Sequence, residues 1–161
     1  MNKMNNIIIR HAVEADCPQL LSLMKKLAVF EDYIDDFQVS ELALIEHGFQ
    51  KTPNYTAIVA ESSQQLVAYL VYYLIPFSYD LKPTLFIKEL WVDEAFRGKN
   101  IGSRLMKAVI SDAKKRQCGR IKWDVLADNH AAQQFYQQFG AYYDKRWQGY
   151  LLEASNFDLN S

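Results

Sequence analysis

A strand-like segment, a basic glycine-containing turn and an amphipathic helix follow one another in the middle of this 161-residue sequence. The segment 84–92, TLFIKELWV, is rich in apolar and β-forming residues, as buried strands are. After the turn, apolar residues recur at helical spacing from Ile101 to Gln117, and the basic end KKRQ suits the helix dipole. Because the segment 120–126, RIKWDVL, is a further predicted strand, the order predicts a strand–helix–strand crossover.

The remaining pattern predicts one mixed α/β domain over residues 1–161, with antiparallel strands before the crossover. The length is that of one domain with a substantial core. Before the crossover, the sequence predicts a strand Ile7–His11, a helix capped by Asp16 and running to Phe30, a short helix from Ser40 to Gly48, and strands 55–61 and 66–77 separated by the turn SSQQ. Gly119 is predicted to end the helix 101–117. After the crossover, the sequence predicts a helix capped by Asn129 and closed by Gly140, and a last strand in RWQGYLLEAS.

Charge and composition exclude several classes of partner. The net charge is −1 with both signs interspersed, so no field attracts nucleic acid or an anionic membrane. The longest apolar run, Leu66–Phe77, is too short to span a bilayer, and MNKMNNIIIR lacks the features of a signal peptide. Cys17 and Cys118 are expected to be reduced thiols in a cytoplasmic protein. No metal site is expected, because the histidines are scattered, at His11, His47 and His130.

The turn RGKNIGS at 97–103 has two interpretations. A helix start offers free N–H groups and a positive dipole end, and Gly98 and Gly102 allow a ligand to approach the backbone. Asn100 tolerates the left-handed conformation. The sequence has neither the GxGxxG nor the Walker spacing at this turn. The residues alone therefore leave open a basic turn or a pyrophosphate cradle, to which three cations would add charge, Arg97, Lys99 and Arg104.

Three motifs together resemble those of the GNAT acetyltransferase superfamily. The frame Arg97 to Gly102 resembles its Arg/Gln-x-x-Gly-x-Gly/Ala loop, with Asn100 in place of the first motif glycine. The segments 7–32, IIIRHAVEADCPQLLSLMKKLAVFED, and 129–141, NHAAQQFYQQFGA, resemble the spermidine/spermine (diamine) acetyltransferase branch. The resemblance covers about residues 7–153. It implies a mixed, mostly antiparallel sheet flanked by helices.

The resemblance also implies acetyl-CoA as co-substrate and a homodimer. The backbone of Leu90–Val92 would pair with the pantetheine amides like an added strand, and the loop would hold the pyrophosphate. Asn129 would either bind pantetheine or cap its helix. The implied cofactor contacts are Leu90, Trp91, Val92, Arg97, Gly98, Lys99, Asn100, Ile101, Gly102, Ser103, Asn129 and Tyr136.

Moving an acetyl group from sulfur to an amine needs a base and an acid. A primary amine has a pKa of ~10.4, so only about one molecule in two thousand is neutral at pH 7. The leaving thiolate needs a hydrogen bond or a proton. The resemblance gives Tyr136 the role of general acid in a ternary complex with direct attack. The alternative is a core aromatic beside Phe135 and Phe139.

The general base is less clear than the acid. The pair Lys88-Glu89 occupies the position at which the diamine branch has two acidic residues. Glu89 is the acid that remains. Neighbouring strand residues alternate between faces, so Glu89 is expected to point away from the side on which residue 88 lies. A lysine at 88 would repel a polycation and favour an amine that also carries a carboxylate. The alternative is that Lys88 extends into solvent.

Acidic residues could bind the amine. Glu31 matches an acidic position of the branch, and Asp124 lies on the strand where the branch contacts substrate; ordinary solvated charge is the alternative. The implied substrate contacts are Phe30, Glu31, Lys88, Glu89, Trp123 and Asp124, with further acids at Asp32, Asp35 and Asp36. Three functions remain open: acetylation of a small-molecule amine, acetylation of a protein or peptide amine, and CoA binding without turnover.

Overall fold

A computed structural model describes residues 6–158, which form two compact units divided after Asp124. The first unit contains a five-stranded sheet in the order β1-β2-β3-β4-β5. Its strands are β1 (Ile7–His11), β2 (Thr56–Ser62), β3 (Gln65–Ile75), β4 (Thr84–Val92) and β5 (Arg120–Trp123), and its helices are α1 (Cys17–Phe30), α2 (Glu41–Gly48) and α3 (Ile101–Lys115). The second unit contains α4 (His130–Gln137) and a 3-10 turn at Ala154–Asn156.

The sheet confirms the predicted order of connections. Strands β1 to β4 pair antiparallel with their neighbours, and β5 pairs parallel to β4 after the crossover through α3. The turn between β2 and β3 consists of Ser63 and Gln64, with φ of 51° and 67°. Two consecutive positive φ values match the right-handed twist of a tight hairpin. The fold is therefore the mixed, mostly antiparallel sheet that the sequence predicts.

Helix α1 covers one face of the sheet through the apolar stripe predicted for it, Leu20, Leu23, Met24 and Leu27. These side chains pack with Val59, Tyr69, Val71 and Trp91 in one buried cluster. Helix α3 contributes Ile101, Leu105, Met106 and Val109, all buried. Burying apolar surface on both faces supplies most of the favourable free energy of folding.

Residues 6–158 contain neither a membrane-spanning helix nor a metal-binding cluster. In this range no helix is both long and apolar enough to cross a bilayer. The same range contains no group of three His, Cys, Asp or Glu side chains arranged to hold a metal ion.

The predicted C-terminal strand is wrong. Residues 146–155 of the second unit contain no strand in the structure. Tyr150 and Leu151 are 93% and 83% exposed, so the apolar letters of RWQGYLLEAS cover no core in this unit. A strand needs a paired neighbour and a buried face, and apolar composition supplies neither by itself.

Two predicted helix ends also differ. The Asp16 side chain makes no cap bond to the first turn of α1. Its carboxylate accepts from Arg10 Nη1 and Nη2 at 2.7 and 2.9 Å and from the Val13 N–H. Helix α3 ends before Gln117, which has φ 55°, rather than at Gly119. By contrast, the predicted start of α2 at Ser40 is confirmed, since the Ser40 hydroxyl accepts a hydrogen bond from the Ala43 N–H in the first turn.

Candidate active site

The loop between β4 and α3 has the geometry of an anion cradle. Asn100 precedes the helix in the left-handed region at φ 59°, and Gly98 has φ 75°. The Asn100 side chain makes no cap hydrogen bond, so the N–H groups of Ile101, Gly102 and Ser103 have no partner within the helix. These donors and the positive dipole end fit a pyrophosphate.

Two of the three cations near this loop are bound elsewhere. Arg104 Nη2 donates to the Ile7 carbonyl at 2.8 Å. Arg97 Nε donates to the Val92 carbonyl at 3.1 Å, while Lys99 Nζ lies 4.9 Å from the centre of the Phe96 ring. These hydrogen bonds leave both guanidinium groups charged, so the expectation that all three cations add charge to the cradle stays a prediction. The backbone N–H groups at the start of α3 are the donors without a partner inside the helix.

One edge of β4 is open beside this loop. Strand β5 pairs with β4 only from Thr84 to Ile87, so Lys88–Val92 has no β5 partner in the described part of the chain. An extended chain of amides can add to such an edge. The geometry fits the predicted pantetheine contact, although the Val92 carbonyl already accepts from Arg97.

A β-bulge interrupts β4 at Lys88. Tyr72 of β3 pairs with Ile87, and the next residue, Val71, pairs with Glu89. Lys88 therefore has no opposite residue in β3. A bulge of this kind resets the alternation of side chains along the strand.

The bulge places Glu89 on the α1 face of the sheet. Tyr72 faces α3, because its hydroxyl donates to Asp112 Oδ2 at 2.9 Å. Val71 belongs to the cluster beneath α1, so its partner Glu89 lies on that side. Simple alternation, which would put Ile87 and Glu89 on the same face, is wrong at this point. In a regular strand residue 88 would have opposed Val71; the bulge gives that position to Glu89.

Glu89 is half-buried and hydrogen-bonded. The hydroxyl of Tyr69 donates to Glu89 Oε2 at 3.0 Å. Burial raises the pKa of the Glu89 carboxyl, the Tyr69 hydrogen bond and Lys88 lower it, and Glu31 raises it. The net direction is upward, which makes the carboxylate a better proton acceptor than a solvated one.

Glu31 and Tyr33 share this electrostatic environment. Glu31 follows α1, and burial raises the pKa of its carboxyl while Lys88 lowers it. Burial, and then Glu89 and Glu31, raise the pKa of Tyr33 to about 12. The carboxyls of Glu31 and Glu89, with the neutral Tyr33 phenol near them, thus form an acidic group on which one cation, Lys88, acts. Glu31 is nevertheless exposed over much of its surface, as are the other acids of this segment, Asp32, Asp35 and Asp36.

An aromatic cleft borders this acidic group. The Phe30 and Trp91 rings lie 5.4 Å apart, and Arg97 Cζ lies 4.7 Å from the Trp91 centroid and 5.8 Å from that of Phe30. The cleft holds about 530 Å³ and contains the ion pair of Lys26 with Asp93. Its lining residues are Lys25, Lys26, Val29, Phe30, Trp91, Asp93 and Glu94.

The other predicted substrate residues lie at the end of β5. Trp123 is half-buried, and its backbone pairs with Ile87 next to the bulge. Asp124 follows the strand and is exposed.

Two predicted residues belong to the second unit. The Asn129 side chain accepts from the Ala132 N–H at 3.1 Å, so it caps α4, the second of its two predicted roles. Tyr136 lies on α4, half-buried, with its ring 5.2 Å from Phe135. Its place in the reaction stays a prediction.

Tyr69 and Tyr33 are the site residues that sequence reasoning missed. Tyr69 lies in an apolar strand and looks like a core aromatic. Its partner in the register is Trp91, so Glu89 is its diagonal neighbour across the strand pair. Diagonal neighbours are within reach of aromatic and long side chains, so a known β3–β4 register would have found this contact.

The profile of the Acetyltransferase (GNAT) family matches residues 26–141. The chain belongs to this family. It is an N-acetyltransferase, and acetyl-CoA is its co-substrate, in agreement with the open β4 edge and the anion cradle. The assignment also confirms the predicted fold class.

Known relatives of this acetyltransferase include enzymes named for small amines. It is 33% identical over 145 residues to a Bos taurus thialysine N-epsilon-acetyltransferase, covering 84% of each chain. It is 30% identical over 142 residues to a Homo sapiens spermidine/spermine N(1)-acetyltransferase-like protein 1, covering 83% of this chain and 20% of that protein. An aminoglycoside N-acetyltransferase solved in complex with CoA shares the fold, with a TM-score of 0.74 at 15% identity and coverage of 94% and 98%.

Proposed function

We propose that this enzyme acetylates a primary amine of a small molecule that also carries a carboxylate, such as an amino acid or a lysine analogue. The observation that carries the proposal is the grouping of Glu89, Glu31 and Lys88 at the bulge of β4. Two carboxylates attract the ammonium group, and the one lysine gives the acceptor's carboxylate a partner. This grouping adjoins the open edge of β4 that fits pantetheine.

In the proposed reaction, Glu89 removes a proton from the bound ammonium. Its pKa is raised by burial, so the cost of this transfer is lower than for an exposed carboxylate. The neutral nitrogen attacks the thioester carbonyl directly in a ternary complex. As the carbon–sulfur bond breaks, Tyr136 donates a hydrogen bond or its proton to the leaving thiolate. The second proton of the attacking nitrogen passes to the sulfur or restores the tyrosine, which leaves the N-acetyl amide and the CoA thiol. The loop N–H groups hold the pyrophosphate and so fix the position of the thioester.

The charge of Lys88 favours this acceptor class over a polyamine. Lys88 lowers the pKa of both Glu31 and Glu89, so its ammonium acts on both carboxylates. A polycation would bring further positive charge to this place, which costs free energy. The thialysine relative is named for an amino-acid substrate and the spermidine/spermine relative for polyamines. Acetylation of a polyamine is therefore the second candidate.

Other predictions also stay proposals. A homodimer is implied by the resemblance alone. A cytoplasmic location is the interpretation of the two cysteines, Cys17 and Cys118, which are free thiols in the structure. Acetylation of a protein or peptide amine remains the competing function.

Release of CoA thiol with a panel of acceptors tests the proposal. Thialysine, lysine and ornithine are expected to give a higher kcat/KM than spermidine, putrescine or a lysine-containing peptide. Faster turnover of spermidine than of every carboxylate-bearing amine would overturn the acceptor class. Faster turnover of the lysine-containing peptide than of every small amine would instead favour the peptide acceptor.

A further inference from the structure

The hydroxyl of Tyr69 lies beneath Glu89 and is closed off from any substrate. Tyr69 is 0% exposed within the cluster under α1. Its hydroxyl donates to Glu89 Oε2 at 3.0 Å, while Oε1 accepts no hydrogen bond within the described residues. A side chain so enclosed can act on the reaction only through the carboxylate it binds.

We propose that Tyr69 is a positioning residue, whose hydroxyl fixes Oε2 of Glu89 and leaves Oε1 to receive the acceptor's proton. The proposal rests on the proposed role of Glu89 as base. Holding one oxygen removes rotational freedom from the carboxylate, which would otherwise have to be ordered during each turnover. The bulge at Lys88 is what brings Glu89 over the α1 face, where Tyr69 can reach it.

Tyr69 acts as a donor only. Burial, and then Glu89, raise the pKa of the phenol, so it keeps its proton across the pH range of an enzyme. A hydrogen bond to a carboxylate stabilises the charged form. Tyr69 therefore keeps Glu89 available as a base at lower pH, against the effect of burial.

The groups around Glu89 come from two strands and from the segment that follows α1. Tyr69 is on β3, Lys88 is on β4 and Glu31 directly follows α1. Tyr33 lies in the loop after α1, and its own pKa is raised by Glu89. Lys88 and Glu31 act in opposite directions on the Glu89 pKa. Of these groups, Tyr69 makes the hydrogen bond to Glu89, so removing its hydroxyl is expected to shift the pKa of Glu89 in one known direction. Loss of the bond raises the pKa of Glu89, and the base form then appears only at higher pH.

A pair of matched variants on one strand tests this role. Tyr72 is also buried, at 1% exposure, and its hydroxyl also donates to a carboxylate, that of Asp112, on the opposite face. Tyr69→Phe and Tyr72→Phe therefore delete the same group from similar surroundings. Both are expected to lower Tm. Only Tyr69→Phe is expected to lower kcat, by about tenfold, because a hydrogen bond to a charged group is lost.

The pH profile separates positioning from packing. The acidic limb of kcat/KM is expected to move to higher pH in Tyr69→Phe and to stay in place in Tyr72→Phe, with the KM for acetyl-CoA within about twofold of wild type in both. Glu89→Asp retains the carboxylate but shortens its reach to Tyr69. It is expected to move the same limb upward, and it serves as the test if Tyr69→Phe does not fold.

Glu89→Gln distinguishes the two proposals. If Glu89→Gln loses at least a hundredfold in kcat while Tyr69→Phe keeps the wild-type kcat and pH profile, the positioning role is overturned and the base remains. Equal shifts of the acidic limb in Tyr69→Phe and Tyr72→Phe also overturn it. If Glu89→Gln keeps the wild-type kcat, the base is wrong and the role of Tyr69 is wrong with it.

Discussion

Arg97 lies with its guanidinium 4.7 Å from the centre of the Trp91 ring, on the α1 side of the sheet. The first residue of the cofactor loop is thus held by an aromatic residue of the strand before it, and by the Val92 carbonyl. Its side chain braces the end of β4 instead of extending over the loop. We therefore expect the cofactor's pyrophosphate to be bound mainly by the backbone N–H groups at the start of α3.

Arg97→Ala is therefore expected to affect stability more than cofactor binding. Loss of the ring contact and of one hydrogen bond costs about 1–2 kcal/mol, which lowers Tm by about 2–8 °C in a chain of this size. The KM for acetyl-CoA is expected to change less than about threefold. Thermal denaturation and initial rates measure both effects. A KM increase above about tenfold with an unchanged Tm would show that Arg97 binds the phosphates.

Tyr136→Phe tests the general acid. The substitution keeps the ring contact with Phe135 and removes only the hydroxyl. We expect kcat to fall at least about tenfold, because the leaving thiolate loses its hydrogen-bond donor. Phe135→Leu, which alters the neighbouring ring, is the control for packing on α4. A Tyr136→Phe variant with the wild-type kcat would return Tyr136 to its alternative role as a packing aromatic.

Local patterns predicted the elements well and the site only in part. The bounds of β1 and the apolar stripe of α1 follow from periodicity, which the chain carries within a few neighbouring residues. Asn100 adopts the left-handed conformation that an asparagine is expected to tolerate at the first motif glycine's position. The bulge at Lys88 depends on the register with β3, so no local pattern shows it.

The same limit explains the contact of Tyr69 with Glu89. The two residues are 20 positions apart, and they meet only because β3 and β4 pair in one particular register. The wrong prediction of a strand in RWQGYLLEAS arose because the local pattern was followed where no long-range pairing supports it. The segment contains apolar residues, but the structure gives it no strand to pair with in its unit.

Lys88→Glu is expected to change the choice of acceptor. Replacing the cation with an anion removes the repulsion of a polyamine and the attraction of a carboxylate. The ratio of kcat/KM for spermidine to that for thialysine should rise about tenfold or more, as expected for a change of about 1.4 kcal/mol. Lys51→Glu, at an exposed position outside the site, controls for net charge. An equal rise in both variants would mean that overall charge, not position 88, selects the acceptor.

Asn100 is a site where backbone conformation limits substitution. At φ 59° a β-branched residue is strained, so Asn100→Val is expected to lower the free energy of unfolding by about 1–2 kcal/mol. Asn100→Gly adopts this φ freely and should change stability by less than about 0.5 kcal/mol. Urea denaturation of the two variants measures the difference. Equal stability of Val and Gly at this position would contradict a left-handed Asn100.

The ionisation of Asp16 is expected to make the free energy of unfolding fall as the pH becomes acidic. The hydrogen bond from Arg10 lowers the pKa of the Asp16 carboxyl below its unfolded value of ~3.9, although burial opposes this. A group with a lowered folded pKa contributes stability above its unfolded pKa and loses it as pH falls through the folded pKa. Asp16→Asn removes this titration. The wild type should therefore lose more stability than Asp16→Asn between pH 5 and about pH 2, as urea midpoints at each pH would show. Parallel losses in the two proteins would mean that Asp16 titrates alike in the folded and unfolded chains, and that its bonds to Arg10 do not persist in solution.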